Sequence, residues 1–568
     1  MTSRATPTGY GASMTDQTDL IETARAWAAE DPDEQTRAEL EAVVAAAERG
    51  EETDLADRFS GTLEFGTAGL RGALGAGPHR MNRVVVTRAA AGLAAYLKDT
   101  GHGGGSVVIG FDARYNSDVF ARDTAEIMTG AGFKALVMPR TLPTPLLAFA
   151  IRELGCAAGV MVTASHNPPQ DNGYKVYLGD GSQIVPPADS EIADRIAAVG
   201  ALADLPRGDA GSLVSEEIVD RYLDTVAELA EDGPRDLTLV YTPLHGVGGT
   251  TVAQVLETAG FEAPYVVEQQ EHPDPDFPTV SFPNPEEPGA MDLAMALAAD
   301  KKADLVVAND PDADRCAVAV PDAHGWRMLR GDEVGALLAH HLIARGRTGT
   351  YANSIVSSSL LGKMAAAAGQ PHEETLTGFK WIGRVEGLAF GYEEALGYCC
   401  DPEHVKDKDG VSALLLVCEL AASAKAAGRT LTDLLDDIAH EHGLHATDQL
   451  SVRFEDLSDI PATMDRLRTT PPTTLGGLAV EKAEDLSEGT DLLPPTDGLR
   501  YSLAEGARVI VRPSGTEPKV KCYLEVVIPV EAGTGGSGVD AARISAAGRL
   551  DAIKADLRTS AFDQPVGD

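Results

Sequence analysis

The sequence has 568 residues, of which 43% are hydrophobic and 24% are charged, and its 87 acidic and 47 basic side chains give a formal net charge of −40. This length exceeds what one hydrophobic core supports, so we expect about three to five domains, and the apolar content excludes a chain that is disordered throughout. Because so negative a surface repels phosphate backbones and anionic lipids, nucleic-acid and membrane partners are disfavoured. An anionic substrate would need a local cluster of cations, such as Arg512, Lys519 and Lys521.

Cysteine usage and the amino terminus bear on the compartment. The six cysteines are scattered and lack the spacing of zinc ligands or redox pairs. The amino-terminal segment has no apolar signal-peptide core, and no run approaches the roughly 20 apolar residues of a membrane helix. We therefore expect a cytoplasmic protein whose first 17 residues form an extension ahead of the fold.

The predicted elements begin with helices over residues 20–58, with a break at Asp31-Pro32. From residue 106 to residue 367, strands and helices alternate in three rounds, which is typical of mostly parallel sheets covered by helices. The predicted strands are 106–110, 134–138, 237–241, 264–267, 303–308 and 350–355, and the predicted helices are 118–131, 145–154, 216–230, 250–259, 289–299, 333–344 and 359–367.

The last part of the chain has a different pattern, in which strand-like segments alternate between apolar and polar residues. The predicted elements there are helix 430–442, strands 450–454, 508–511 and 522–528, and helix 538–557. The segment 493–499 contains Pro and Gly and is assigned to a loop. We therefore predict three tandem α/β blocks followed by a C-terminal α+β domain.

A cluster of acidic residues follows the apolar run 305–308 in the segment NDPDADR, residues 309–315. Its three carboxylates stand at alternate positions: Asp310, Asp312 and Asp314. On an extended segment they project to one side, where a hard divalent cation would relieve their repulsion and leave coordination positions for phosphate oxygens, which suits Mg²⁺. An EF-hand fails, because Arg315 and Pro321 occupy the positions that require Gly and Glu. A solvated acidic turn is the alternative.

A second polar loop, TASHNPPQDNGYK at residues 163–175, follows the apolar run 157–162. The hydroxyl of Ser165 lies at the exit of a predicted strand, where it could accept a phosphoryl group. The alternative is a polar turn that satisfies its own hydrogen bonds. Because neighbours in an extended chain point opposite ways, we do not expect Ser165 and His166 to form a nucleophile–base pair.

A third segment, RPSGTEPK at residues 512–519, forms a turn between two strand-like runs. The Arg512 side chain, the hydroxyls and the backbone N–H groups of Gly515 and Thr516 could together hold a phosphate dianion. A plain hairpin turn is the alternative.

These segments together resemble the α-D-phosphohexomutase superfamily, which comprises phosphoglucomutase and phosphomannomutase enzymes, from about residue 61 to residue 526. The ordered marks are GTAGLRG at 66–72, the 163–175 loop, the 310–315 loop, GFKW at 378–381, YEEALGY at 392–398 and RPSGTEP at 512–518. The forms QDNGY, TGFKW and EEA are most similar to the branch that includes the second type of human phosphoglucomutase and its bacterial relatives.

The resemblance implies roles for individual residues. Ser165 would be the phosphoserine, and its phosphate would join Asp310, Asp312 and Asp314 in holding Mg²⁺. Arg71, Lys175 and Arg315 would line the reaction centre, with Lys175 or Arg71 assisting proton transfer. The substrate-binding residues would be Lys380 and Glu393 for the sugar, and Arg512, Ser514, Gly515 and Thr516 for the remote phosphate. Ala395 stands where many relatives have Ser, which affects sugar specificity.

The resemblance also implies a fold and a division of the chain into domains. The expected fold class is α/β, with three tandem mixed α/β sandwich domains and a C-terminal α+β domain around a central active-site cleft. The expected domains are 1–60 (extension and helical lead), 61–214 (phosphoserine loop), 215–325 (metal loop), 326–445 (sugar loop) and 446–568 (phosphate loop).

The expected reaction interconverts a hexose 1-phosphate and a hexose 6-phosphate, most simply those of glucose, through a bisphosphorylated intermediate. Glucose 1,6-bisphosphate would be the primer, sugar phosphates would be the binding partners, and the chain would be a monomer or homodimer. Phosphomannomutase and phosphopentomutase activities remain open. The alternatives outside the mutases are a metal-dependent phosphohydrolase and a non-catalytic sugar-phosphate sensor, and the presence of Ser165 with three aspartates argues against the sensor.

Overall fold

The computed structural model describes residues 14–66, 69–323, 325–454, 458–490, 493–514, 519–531 and 535–562. These residues fall into two compact units, which we call unit 1 and unit 2. Unit 1 comprises the described parts of Met1–Val219, His245–Val247 and Pro273–Asn284, and unit 2 comprises those of Asp220–Leu244, Gly248–His272 and Pro285–Asp568.

Unit 1 begins with three helices: α1 (Met14–Glu30), α2 (Glu34–Ala47) and α3 (Thr53–Arg58). The side chain of Asp33 accepts a hydrogen bond from the Gln35 N–H and so caps α2 directly after the predicted break. The apolar faces of the helices form a small core with Leu40 and Leu55 at 0% exposure. The predicted helices are confirmed, but α1 already begins at Met14, within the expected extension, and residues 1–13 lie outside the described part.

A six-stranded sheet forms the centre of unit 1, with order β1-β5-β4-β2-β3-β6. Its strands are β1 (Leu70–Ala73), β2 (Ser106–Phe111), β3 (Lys134–Val137), β4 (Ala158–Val162), β5 (Asp171–Leu178) and β6 (Ser212–Leu213), and its helices are α4 (Arg83–Asp99), α5 (Ser117–Gly130), α6 (Thr144–Glu153) and α7 (Ala188–Ala197). β2 pairs in parallel with β3 and β4, whereas β5 runs antiparallel to β4 and β1. Every residue of β4 is buried, so the loop that follows it at 163–170 leaves from the interior of the sheet.

Unit 2 contains a second, five-stranded sheet with order β11-β10-β9-β7-β8. Its strands are β7 (Leu239–Thr242), β8 (Tyr265–Val266), β9 (Leu305–Ala308), β10 (Ala317–Asp322) and β11 (Gly325–Met328), and the helices of this region are α8 (Glu216–Ala227), α9 (Gly248–Thr258) and α10 (Asp292–Lys301). β9 is fully buried and pairs in parallel with β7 and antiparallel with β10. The acidic segment 309–315 therefore connects two adjacent, buried strands.

A third, four-stranded sheet follows with order β13-β12-β14-β15. Its strands are β12 (Thr350–Ser354), β13 (His372–Thr375), β14 (Leu388–Glu393) and β15 (Gly397–Cys399), and its helices are α11 (Gly331–Ala344), α12 (Leu360–Ala367), α13 (Phe379–Ile382), α14 (Gly410–Ala426) and α15 (Leu431–His442). β14 and β15 form an antiparallel hairpin whose turn carries residues 394–396. We call this turn, with Glu393, the sugar loop, after the role that the resemblance implies for it.

The fourth sheet is wholly antiparallel, with order β16-β21-β20-β19-β18-β17. Its strands are β16 (Leu444–Arg453), β17 (Thr474–Leu475), β18 (Leu478–Asp485), β19 (Leu499–Leu503), β20 (Arg508–Pro513) and β21 (Lys519–Ile528), and its helices are α16 (Asp459–Thr469) and α17 (Gly535–Leu557). β16 begins six residues before the predicted strand, and β17, β18, β19 and α16 were not predicted. Three mixed α/β sheets followed by an antiparallel α+β region confirm the predicted fold class.

Among the described helices, none is by itself long and apolar enough to cross a membrane. α14 and α15 together reach that length and composition, with a 91° bend between them, and most of α14 is buried within the protein.

Candidate active site

The loop after β4 places Ser165 in a left-handed backbone conformation, with φ of 50°. Its N–H donates a hydrogen bond to Oγ1 of Thr163 over 2.8 Å, and the residue is buried. Ser165 Oγ lies 3.1 Å from His166 Nδ1. The expectation that these two side chains point apart is therefore wrong, because the backbone at Ser165 turns instead of remaining extended.

The Arg114 side chain fixes the shape of the loop that carries Ser165. Its guanidinium donates to four backbone carbonyls, those of Ser165 (2.7 Å), Asn167 (2.5 Å), Pro168 (2.8 Å) and Asp171 (3.2 Å). The buried carboxylate of Asp112 lies 3.4 Å from Arg114 Nε, and the ring of Phe277 packs against the guanidinium with 4.9 Å between Cζ and the ring centroid. Neither sequence pattern nor resemblance had singled out Arg114.

The two other predicted unit 1 residues lie on strands that flank the loop. Arg71 on β1 donates from Nη1 to Oδ1 of Asn167 over 3.2 Å, so it contacts the Ser165 loop directly. Lys175 is buried on β5, opposite Met161 of β4. Gly69, with φ of 79°, has no room for a side chain, because a Cβ there would lie 1.9 Å from the Tyr174 carbonyl oxygen.

The three aspartates of the 309–315 segment converge in unit 2. All three are at 0% exposure, and one carboxylate oxygen from each lies within 4.8 Å of the others. The segment is not extended as expected, since Ala313 has φ of 53° and its N–H donates to the Asp310 carbonyl. The Asn309 amide closes the turn by donating to the Arg315 carbonyl over 2.6 Å. Complete burial excludes the solvated acidic turn.

Two cations border this carboxylate cluster. Arg315 Nε lies 3.9 Å from both Asp310 Oδ2 and Asp314 Oδ1, and Lys408 Nζ lies 3.3 Å from Asp314 Oδ2. Burial by itself would lower the pKa of the Lys408 ammonium group. The negative charges of Asp314 and Asp407 have the larger effect, so the pKa is raised. The pKa of Arg315 is raised in the same way, burial being outweighed by Asp310 and Asp314. Lys408 was not predicted, because it lies 94 residues from Asp314 in the chain.

The donor set of this cluster fits Mg²⁺. Three buried carboxylates within 4.8 Å carry more negative charge than Arg315 and Lys408 neutralise. All the donors are hard oxygens, which Mg²⁺ prefers, and no thiol or imidazole belongs to the group.

Within unit 2, the sugar loop lies beside the acidic segment 309–315, because Arg315 and Gly397 form an isolated antiparallel β-bridge. Glu393 ends β14 and is buried. Lys380 on α13 is also buried, and its ammonium group lies 5.3 Å from the ring centroid of Trp381. The predicted sugar-binding residues therefore belong to the same unit as the carboxylate cluster.

The turn from β20 to β21 and the strand ends beside it carry the residues that the resemblance assigns to phosphate binding, and we call this segment the phosphate hairpin. Arg512 pairs with Lys521 across the two strands, and the Ser514 N–H donates to the Lys519 carbonyl over 2.8 Å. Burial raises the pKa of the Tyr523 phenol, with Glu394 adding to the effect and Arg512 opposing it, so the hairpin and the sugar loop act on the same side chain. Gly515 and Thr516 lie outside the described residues.

The predicted residues are thus gathered into two sets. In unit 1, Arg71 contacts Asn167 of the loop that carries Ser165, and Lys175 lies on the strand that follows this loop. The set in unit 2 comprises Asp310, Asp312, Asp314, Arg315, Lys380, Glu393, Arg512 and Ser514. The shared metal site that includes Ser165 combines residues of both units and stays a prediction.

Comparison with known proteins identifies the fold and the chemistry. Four models of phosphoglucomutase/phosphomannomutase match along the chain: alpha/beta/alpha domain I at residues 62–202, domain II at 220–325, domain III at 330–442 and the C-terminal domain at 452–534. The chain belongs to the phosphoglucomutase/phosphomannomutase family. It is therefore an enzyme, a phosphomutase, and the predicted superfamily resemblance is confirmed.

Relatives of this phosphomutase carry different sugar names. A protein of Haemophilus influenzae named a probable phosphomannomutase is 52% identical over 454 residues, covering 78% of this chain and 93% of the relative. The phosphoglucomutase of Staphylococcus haemolyticus is 37% identical, covering 82% and 91%, and the human phosphopentomutase is 36% identical, covering 86% and 89%.

A solved structure supports the fold of this phosphomutase. A phosphoglucomutase/phosphomannomutase family protein from Burkholderia thailandensis superposes with a TM-score of 0.67 at 19% identity, covering 89% of this chain and 98% of the other.

Proposed function

We propose that this phosphomutase interconverts glucose 1-phosphate and glucose 6-phosphate through phospho-Ser165, with glucose 1,6-bisphosphate as primer. The observation that carries the proposal is the buried cluster of Asp310, Asp312 and Asp314, bordered by Arg315 and continuous with the sugar loop. Such a cluster could hold the divalent cation that phosphoryl transfer requires, and Arg315 places a fixed positive charge beside it.

Ser165 would carry the transferable group. The bond between phosphorus and Ser165 Oγ breaks as the free sugar hydroxyl forms its own bond to phosphorus. The sugar hydroxyl gives up its proton and Ser165 Oγ gains one, a proton transfer that Lys175 or Arg71 would assist. The bisphosphate then reorients, its other phosphate returns to Ser165, and the isomeric monophosphate leaves. Arg114 holds the loop carbonyls, so the backbone position of Ser165 does not depend on the substrate.

Asp310, Asp312 and Asp314, with the phosphate on Ser165, would hold Mg²⁺. When bound, this ion neutralises charge on the transferring phosphoryl group. Arg315 would lie beside the same charge. Lys380 and Glu393 would bind the sugar, while Arg512, Ser514, Gly515 and Thr516 would bind the phosphate at its far end.

Glucose is supported by the name of the Staphylococcus haemolyticus relative. The Haemophilus influenzae relative is more similar and is named for mannose, so mannose 1-phosphate is the second candidate substrate. Ala395 lies in the sugar loop next to Glu394, where a side chain without a hydroxyl limits contacts to the sugar. We also propose that the enzyme works in the cytoplasm as a monomer or homodimer, in keeping with six free, buried cysteines.

The test measures isomerase activity with Mg²⁺ and glucose 1,6-bisphosphate on the 1-phosphates of glucose, mannose and ribose, for wild type and Ser165→Ala. We expect the highest kcat/KM with glucose 1-phosphate and a loss of at least about 1,000-fold in Ser165→Ala. A coupled assay for inorganic phosphate runs in parallel, and phosphate release in place of the isomeric sugar phosphate would contradict the mechanism. Full activity in Ser165→Ala would exclude Ser165 as the carrier.

A further inference from the structure

A serine-rich loop between β12 and α12, residues 354–359, lies at the base of the sugar loop. The hydroxyls of Ser354 and Ser357 are 2.8 Å apart, and each lies 3.1 Å from Oε2 of Glu394. The Glu394 N–H in turn donates to Ser357 Oγ over 2.9 Å. Both serines are at 0% exposure, so these bonds hold the backbone next to Glu393 without competition from water.

The same loop is bonded on its other side to the strands of the phosphate hairpin. Arg508, the first residue of β20, donates from Nη2 to the Ser357 carbonyl and pairs through Nε with Glu525 Oε2 of β21 at 2.7 Å. Glu525 also accepts from the Ser358 hydroxyl at 2.5 Å and from the Ser359 N–H at 2.9 Å. Burial would raise the pKa of Glu525, but Arg508 and His445 outweigh it and lower the pKa to about 2, so the carboxylate stays charged.

Ser357 thus connects the sugar loop to the strand that leads into the phosphate hairpin. Its hydroxyl is bonded to Glu394, one residue from Glu393, and its carbonyl is bonded to Arg508, four residues from Arg512 on the same strand. The rise per residue along a strand is nearly constant, so the distance from Arg508 to Arg512 on β20 is fixed. The bonds of the buried network are also costly to break, because removing one member leaves its partners unsatisfied. The distance between the sugar loop and the phosphate hairpin is therefore set by this chain of bonds.

We propose that Ser357 and Arg508 are positioning residues that fix the spacing between the sugar loop and the phosphate hairpin and so select the sugar phosphate by the position of its hydroxyls relative to its phosphate. The proposal rests on the proposed function. A substrate held at its hydroxyls by one loop and at its phosphate by the other must span this spacing. Hexose and pentose phosphates present their hydroxyls at different distances and directions from the phosphate, because their six-membered and five-membered rings differ in shape. Misplacement by about 1 Å can cost on the order of 100-fold in rate, so a fixed spacing discriminates between the two.

The primary test is Ser357→Ala, which removes the hydroxyl and leaves the carbonyl that Arg508 contacts. The measured quantity is the ratio of kcat/KM for glucose 1-phosphate to that for ribose 1-phosphate, with Mg²⁺ and the bisphosphate primer. We expect the ratio to move toward unity by at least about threefold. The main cause should be a higher KM for glucose 1-phosphate, because the relaxed spacing no longer matches this substrate. Ser423→Ala on α14, another serine of unit 2 outside the network, is the matched control and should leave the ratio unchanged.

A second pair of variants separates spacing from stability. Arg508→Lys keeps the charge but cannot reproduce the planar set of donors that reaches both Glu525 and the Ser357 carbonyl, whereas Arg508→Gln removes the charge as well. We expect the ratio to change in both, less in Arg508→Lys, while the melting temperature reports folding separately.

An active wild type whose ratio is unaltered in Ser357→Ala and Arg508→Lys would overturn the spacing role alone. A wild type inert toward every sugar phosphate would overturn the proposed function and the spacing role together.

Discussion

Lys408 Nζ lies 3.3 Å from Oδ2 of Asp314, inside the structure and beside the carboxylate cluster. The ring of Phe379 packs against the ammonium group with 5.7 Å between Nζ and its centroid. Gly397 permits this approach, because a Cβ at that position would lie 2.2 Å from Lys408 Cδ. The lysine and Arg315 together supply two positive charges against three carboxylates, so the cluster retains excess negative charge.

The first prediction concerns that lysine. Lys408→Met keeps most of the length of the side chain and removes its charge, which leaves the buried Asp314 with one cation fewer. We expect a loss of about 3 to 5 kcal/mol of stability in the absence of metal, because the desolvated charge is left without its partner. Mg²⁺ should recover more stability in the variant than in wild type, and thermal unfolding with and without Mg²⁺ measures both effects.

The control for this experiment is Lys425→Met. Lys425 is partly exposed and pairs with Asp304 at 2.9 Å, so its loss should cost no more than about 1 kcal/mol and leave the response to Mg²⁺ unchanged. Equal effects in the two variants would contradict the neutralising role of Lys408.

The second prediction concerns the metal itself. Mg²⁺ at about 100 times its dissociation constant should stabilise the chelator-treated protein by about 2.7 kcal/mol, since only the folded state brings the three aspartates together. Asp312→Asn should weaken Mg²⁺ binding at least about tenfold and reduce kcat by a similar or greater factor, because one charged donor is lost. Calorimetric titration measures the affinity, and undiminished binding in Asp312→Asn would remove this residue from the ligand set.

The third prediction concerns Arg114. Arg114→Lys retains the charge but cannot donate to four carbonyls at once, so the left-handed conformation of Ser165 loses its support. We expect kcat to fall at least about tenfold with a smaller change in KM, and less phosphate to be retained on Ser165. Intact-mass measurement reports the phosphorylated fraction. Arg122→Lys, on the exposed face of α5, is the control, and similar kcat values in the two variants would count against the loop-fixing role.

The sequence predicts the members of each local site better than their geometry. The alternate spacing of Asp310, Asp312 and Asp314 correctly indicates that their carboxylates lie close together. The structure brings them together by a turn at Ala313, whose φ of 53° could not be predicted from an alanine in the sequence. Lys408 and Arg508 could not be predicted from pattern, because their partners are distant in the chain and only the folded sheets bring them together.

Two of the unpredicted elements, β18 and α14, have weak or hidden periodicity. β18 (Leu478–Asp485) lies near the edge of the fourth sheet with most of its side chains exposed or half-buried, so it lacks the alternation that identifies a strand. α14 (Gly410–Ala426) is buried on nearly every side and is apolar all round, so no amphipathic stripe distinguishes it. The buried strands β2, β4 and β9 were predictable because each is a short apolar run bounded by polar turns.

The last prediction concerns Glu394, whose carboxylate accepts hydrogen bonds from Ser354 and Ser357. Burial, with further contributions from Glu393 and Asp332, raises the pKa of Glu394 from 4.5 to about 7. Between these values the folded protein binds a proton that the unfolded chain has released, so stability falls as the pH rises from about 4.5 to about 7 and stays lower above that. The loss amounts to at most about 3 kcal/mol.

Glu394→Gln has no such proton to lose while its carbonyl still accepts from the serines. We therefore expect its melting temperature, relative to wild type, to increase as the pH is raised from 5 to 8, because all other titrating groups are common to both proteins and cancel in the difference. Glu257→Gln, an exposed position on α9, is the control and should give a constant difference. A constant difference for Glu394→Gln as well would mean that the carboxyl is ionised across this range. In that case the serines would be donating to a charged group, and their bonds to the sugar loop would be stronger than those of a neutral acid.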